Sequence, residues 1–477
     1  MRLIIDHDNA FPFGGRLLLP AGYNFDFKTY FPHDIYRDAA GGVQSTFNPF
    51  DFFPWTGNPR FATWDVRYLD NVSGNNANDG STAALAKQSF SSMVTWINGT
   101  SVAPGVIVFV KDTGTDYIRT HGWNGGTRLT KAVCIVGYNG RPVMGLHDNA
   151  TWALDGTYTT TYSSTTFTTF KRIVDLTNKD DYGDYTEFTE VATAAEVEAV
   201  TTTGAAGGKC CQTGSKIYVK RYDGAVVSNT NTRAYRPSVE GVHNPTTGDC
   251  YIWNMAFEGG NSAVLKFDSN TTAKNYIFNV SAKWGGANAY QANITPSVGV
   301  DNIAVRDVAF LLAKDCVSCR AGTDGFDFTP TSGTIPHGVL INCAAYRCGH
   351  AGNTSNNGIT AHEGSKLLVL GGMVAECSGG NIALADTANA GTQAYVVGLS
   401  CKRSLGDIAL GGSISPVNFQ TLSYSKMWLD TCTSEKFNVR HRDFSLSGNS
   451  QLKYRNMIFT PNINIEKSNS VVVCNTF

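Results

Sequence analysis

The sequence predicts an all-β fold: a right-handed, single-stranded parallel β-helix, in which short strands wind into stacked coils. Three observations carry this reading. An apolar frame centred on Asn or Asp recurs at steps of 25 to 35 residues from Tyr251 to Met457. The composition is poor in charge and rich in turn formers. A loop rich in Asn, Asp and Gly, followed by a helix-like segment, stands near the start of the regular region.

Tyr251–Phe257, Tyr276–Ala282, Ala304–Phe310 and Val339–Ala345 align on Asn254, Asn279, Asp307 and Asn342, and the frame continues through Gly372, Leu399, Thr431 and Asn456. Two positions before the anchors stand Ile252, Ile277, Val305, Leu340, Leu370, Val397, Leu429 and Tyr454. Directly after them stand Met255, Val280, Val308, Cys343, Met373, Ser400, Cys432 and Met457. Such a step is too long for a hairpin and fits a coil of three short strands lying on the coil before it. The anchor must tolerate a left-handed turn and hydrogen-bond to its own copy one coil away, which Asn and Asp do. The flanking apolar side chains then point inward and form rows, with Cys acting as a small hydrophobe.

Composition agrees. The chain has 477 residues, only 16% of them charged, and 49 glycines. A solenoid escapes the usual limit on domain size because each coil buries its apolar face against its neighbours. With Lys+Arg 38 against Asp+Glu 39, the net charge of -1 gives no electrostatic reason for a nucleic-acid or anionic-membrane partner. The opening stretch breaks its short apolar run at Asp6, Asp8 and Pro12, which predicts neither a signal peptide nor a membrane span. The twelve cysteines are read as free thiols. The pairs Cys316/Cys319 and Cys343/Cys348 have a superficial zinc spacing, but Cys343 is already explained by the frame.

Upstream, Tyr68–Ser81 is followed by Phe90-Ser-Ser-Met and then by Pro104–Lys111. This run resembles the opening of many right-handed β-helix proteins of the pectin-lyase-like kind, where such a loop precedes a short capping helix and the first coil. With the frame, the resemblance covers residues 62–477. It implies a helix across the open end that hides the first coil's interior. Between about 148 and 249 the frame is interrupted by a Thr-rich stretch, an acidic stretch with a helical segment at Ala194–Val200, and a strand-like Lys216–Lys220, read together as an inserted lobe. Residues 1–61 are dense in aromatics, from Phe11 to Trp55, without a period. They are read as an attachment segment for a partner, the alternative being an extended lid on the β-helix itself.

Chemistry-bearing residues cluster on two long coils: Arg320, Asp324, Asp327, His350, Asn357, His362 and Glu363, with Asp386 one coil further. Their offsets from the anchors put Asp324, His362 and Asp386 on one wall, on coils about 4.8 Å apart. The arrangement resembles β-helix tailspike and depolymerase proteins of phages. That resemblance implies an acid/base pair at Asp324 and Glu363 for glycosidic hydrolysis, with His362 and Asp327 positioning or tuning them. It implies substrate contacts from Arg320, His350, Asn357 and Asp386. A lyase reading uses His362 as base, with Arg320 or Lys314 neutralising charge. Calcium would need oxygen ligands such as Asp324, Asp327 and Asp386; otherwise no metal or cofactor is expected. Asp324-Gly and Glu363-Gly are equally ordinary turn dipeptides.

The resemblance further implies a virion tail component acting outside the cell on host surface polysaccharide, as a homotrimer, held to tail or adaptor proteins through residues 1–61. The expected absence of an export signal agrees with assembly inside a host. No trimer-forming domain is expected after the last coil, so a trimer would use the β-helix flanks or the N-terminal segment. The alternative function is adhesion to glycan, or a structural fibre without catalysis.

Overall fold

The structure is a computed structural model that describes residues 17–474 other than 18, 39–41, 54–57, 120–127, 167–169, 171, 236–240, 261–262, 269, 287–299, 350–355, 406–415, 438–440 and 468–469. Among the described residues, strands form three long parallel sheets of twelve, nine and nine strands that run the length of a coiled tower. The twelve-stranded face starts at Asp65–Leu69 and ends at Val471–Cys474; the narrow face is built largely of three-residue strands; the third face runs from Val242–His243 to Ile465–Lys467. This is the predicted parallel β-helix. Strands in one sheet joined by such crossovers wind right-handed, the hand that strand twist favours.

The inward row of the long face is Ile252, Ile277, Ala313, Leu340, Val369, Val396, Leu429 and Tyr454, each paired in register with the next. Where this face turns into the narrow one, the backbone is left-handed at Asn254, Asn279, Asp315, Asn342, Thr431 and Asn456. Glycines 371 and 398 take the same place. The anchors bond along the stack: Asn279 donates to Asn254 at 2.8 Å and Asn342 to Asp315 at 2.7 Å. Three members of the predicted frame are therefore displaced. Asp307, Gly372 and Leu399 yield to Asp315, Gly371 and Gly398. Asp307 is left-handed too, but it belongs to a different corner, where it accepts from the Thr331 and Ser332 amides. Two corners demand the same residue type, so a local text such as Val-Arg-Asp-Val does not say which corner it occupies.

Ser89 caps the helix Phe90–Gly99 by accepting from the Ser92 amide. Its Phe90, Met93, Val94 and Ile97 are buried in the tower's core, which closes the first coil as predicted. The cysteines with described side chains are free and buried. No group of three or more His, Cys, Asp or Glu side chains is placed to hold a metal among the described residues.

The described part of the N-terminal segment lies along the outer side of the long face and runs back down the tower. Tyr23 meets Tyr395 and Trp428, Tyr30 stacks on Phe310 at 4.8 Å, Phe47 meets Phe278, and Phe61 meets Tyr251. Aromatic area that the sequence reading assigned to a partner is thus spent on the chain's own sheet. Phe11 and Phe13 lie outside the described residues. Between His147 and Tyr235 the strands form two small, mostly antiparallel sheets with the helix Ala194–Glu198. This lobe reaches across to the corner leaving the narrow face: Asp180 pairs with Arg320 at 2.8 Å and with Arg347, and Tyr182 stacks on Tyr346.

Candidate active site

Three successive coils of the third face bring one set of polar groups together. Their strands are Asp301–Val305, Phe326–Phe328 and Ile359–His362, paired as Ile303 with Phe326 and Phe326 with Ile359. Those three residues and their second neighbours Val305, Phe328 and Ala361 point into the core. Alternation then sends Ala304, Asp327 and Thr360 outward as one row, a row that starts at His243 and Lys266 and continues to Ala383 and Gln420. Arg306, Thr329 and His362 follow two positions on. Asp301 and Asp324 stand two positions before Ile303 and Phe326, where the chain enters the strand.

The carboxyl groups of Asp301, Asp324 and Asp327 are all buried. One guanidinium nitrogen of Arg306 donates to Asp301 at 2.7 Å and to Asp327 at 3.1 Å, so these two acids share a single cation. Thr323 donates to Asp301 and Thr329 to Asp327, each at 2.5 Å. The Asn357 amide donates to Asp324 at 2.5 Å, and the Asn357 side chain donates to the Thr360 hydroxyl at 3.0 Å. Burial, with Asp327 adding to it, pushes Asp301 up to about 7 against the pull of Arg306. Burial raises Asp324 well above the usual carboxylate range, and Asp301 and Asp327 reinforce it. Like charges so close cannot all ionise. Burial also lowers the His362 imidazole against the pull of Glu363 and Asp301, with Arg306 adding to the effect, so the neutral ring is favoured at neutral pH.

The wall can thus hold carboxylic acids that still carry a proton near neutral pH, beside a carboxyl pinned by an arginine and a neutral imidazole. Those are the parts of acid/base chemistry at a glycosidic bond.

The structure brings together Asp324, Asp327, Asn357 and His362 among the residues singled out in the sequence. It places the others elsewhere. Glu363, left-handed in the turn after its strand, accepts from Thr387 and from the Ala388 amide. Although partial burial opposes it, the Thr387 hydroxyl and these amides hold its pKa below the usual range. Asp386 accepts from the amides of Ala390, Gly391 and Thr392 at 2.7–2.9 Å and shapes a turn, so it does not converge with Asp324 and Asp327 as a calcium ligand. Arg320 is tied to Asp180 of the lobe, and Lys314 to Asp315 at the corner of the long face. Neither lies where the lyase reading needs a cation. His350 lies outside the described residues.

Asp301 and Arg306 were missed. The signal was present: Asp301-Asn-Ile, Asp324-Gly-Phe and Asn357-Gly-Ile are the same entry into the same strand. Assigning Ala304–Phe310 to the long face hid it.

With the coil architecture and this wall in view, the chain is a parallel β-helix protein. Its fold is similar to that of XylC solved in complex with xylose, with a TM-score of 0.50 at 10% identity over 84% of this chain and 70% of that one. Weaker likenesses are to pectate lyase Pel9A, with a TM-score of 0.33 at 12% identity over 86% and 78%, and to the GH136 lacto-N-biosidase from Eubacterium ramulus, with 0.33 at 11% over 86% and 68%. At such identities the likeness concerns the fold. No family model matches the chain, and no curated protein does.

Proposed function

We propose that the protein is a polysaccharide hydrolase whose reaction takes place on the wall of Asp301, Asp324 and Asp327. The observation that carries this is the joint burial of the three carboxyls on adjacent coils, two of them raised in pKa and the third held by Arg306. Asp324 serves as general acid to the glycosidic oxygen, and Asp327 as the carboxylate that activates water or attacks the sugar. Asp301 and Arg306 set the charge between them, and His362 hydrogen-bonds substrate. XylC, which has this fold, was solved with xylose.

The wider reading is a tailspike-like component of a phage tail that works outside the cell on host capsule or lipopolysaccharide, as a homotrimer. Attachment through residues 1–61 would use the outer side of that segment, where Leu19 and Phe50 stay exposed.

The test is product analysis on candidate host glycans. Wild type is expected to release shorter oligosaccharides with new reducing ends. Asp324→Asn and Asp327→Asn are each expected to lose about 10²–10⁴-fold in rate with unchanged β-sheet circular dichroism. Glu363→Gln, whose hydrogen bonds go to a turn and whose charge reaches only His362, should cost far less than either Asp variant, about tenfold or under, since proton transfer does not pass through it. Cleavage surviving in both Asp variants removes the wall from the mechanism. Binding without cleavage in wild type makes the protein an adhesin, and ultraviolet absorbance of unsaturated uronates in the products makes it a lyase.

A further inference from the structure

A second polar site lies away from this wall, where the inserted lobe meets the early coils. A pocket of about 430 Å³ opens there, lined by Thr115 and Asp116 of the loop after the strand Gly105–Lys111, by His147, Asp148 and Asn149 at the entry to the lobe, and by Arg233 on a lobe strand. Its volume is in the range of pockets that hold small ligands.

The charges around it are already matched within the protein. Arg233 pairs with Asp116 on one side and with Glu258 of the coil on the other. Tyr235 donates to Glu258 at 2.7 Å. Arg119 holds Asp148 through both carboxylate oxygens at 3.1 Å. No cation of this set is left over for a phosphate or a carboxylate. Among the described lining residues Ile118 is the one large apolar side chain, so an apolar ligand gains little from them. His147 is buried, its Nε2 3.6 Å from Asp116, and burial followed by Arg233 keeps the ring neutral, able both to donate and to accept. Asp116 is raised by burial, with Glu258 adding to it against Arg233. The network joins coil and lobe, so the pocket is formed before any ligand arrives, and little ordering is lost on binding.

We infer that this pocket is a binding site for a neutral saccharide, whose hydroxyls bond to Asp116, His147 and the amide and hydroxyl groups of Asn149 and Thr115. It is separate from the wall, and it gives the inserted lobe a use: holding a second stretch of a glycan chain while the wall acts on another.

The experiment uses the full chain carrying Asp324→Asn and Asp327→Asn together, so that cleavage plays no part. Titration calorimetry is run with maltotriose, cellotriose, xylotriose, lacto-N-tetraose and, as the acidic comparator, trigalacturonate. At least one neutral oligosaccharide should bind saturably, and adding Asp116→Asn should weaken it at least tenfold. Thr115→Trp, at an exposed position on the pocket's rim, should do the same by filling the mouth without touching the core. The inference is overturned if no neutral oligosaccharide binds, if both variants leave the affinity unchanged, or if only trigalacturonate binds. Failure here leaves the wall's activity to be scored on its own.

Discussion

Asp301 shows how a single buried carboxyl links structure to pH dependence. Its ordinary value is about 4, and burial with Asp327 nearby moves it to about 7 in the folded chain. The proton is therefore held below about pH 7 and lost above it, so turnover should fall on the alkaline side with a midpoint near 7. The linked stability has the same sign. From about pH 4 upward the unfolded chain ionises this group while the native one does not, so Asp301 costs stability progressively until about pH 7 and by a constant amount above. Asp301→Asn should move that limb, because it also removes the charge that raises Asp324, and should flatten the decline of the denaturation midpoint between about pH 4 and 7. Profiles identical to wild type would show that Asp301 does not titrate there. In the sequence, Asp324, Asp327, Asn357 and His362 were legible because they crowd two coils, whereas Glu363 was read as catalytic from proximity alone. Carboxylates at turn exits look the same in text whether they accept backbone amides, as Glu363 and Asp386 do, or face one another across coils. Only register separates them.

The N-terminal segment makes the corresponding point for a whole element. Phe53 is fully buried between Trp253 and Phe278, and Phe47, which packs against Phe31, meets Phe278 as well. Phe53→Ala should destabilise the chain by about 3–5 kcal/mol, because the cavity it leaves is walled by rigid strands. Denaturant unfolding followed by tryptophan fluorescence measures this. A loss below about 1 kcal/mol would mean that the segment is only loosely laid on the sheet. The sequence displayed the aromatics but not their destination, because the outer row of the long face, from Tyr251 through Tyr276 and Leu312 to Trp428, alternates with the inner row and reads as core throughout. A sheet buried on both sides gives continuous apolar runs, and these do not say what covers the second side. The corner ladder was legible for Asn254, Asn279, Asn342, Thr431 and Asn456. It slipped at Asp307, where a second left-handed corner copies the first.

For the molecule as a whole, the repeat alone was enough to give the architecture, since a period near 30 residues with inward rows has few other solutions. The capping helix followed from its neighbours in the chain. The lobe between His147 and Tyr235 was visible as an interruption, but its docking onto Lys283, Arg320 and Arg347 was not, because those charges come from separate coils and meet only in the stack. Among the described residues the carboxyl wall lies on the third face and the pocket beside the lobe, while the N-terminal segment covers the long face. The proposed function puts glycan cleavage on the wall. It is tested most directly by the crystal structure of the Asp324→Asn variant soaked with an oligosaccharide that wild type cleaves. Sugar density is expected across the outer face of the strands Asp301–Val305, Phe326–Phe328 and Ile359–His362, with a glycosidic oxygen beside residue 324 and Asp327 at the same linkage. Sugar density bound elsewhere on the tower, with that wall bare, would contradict it.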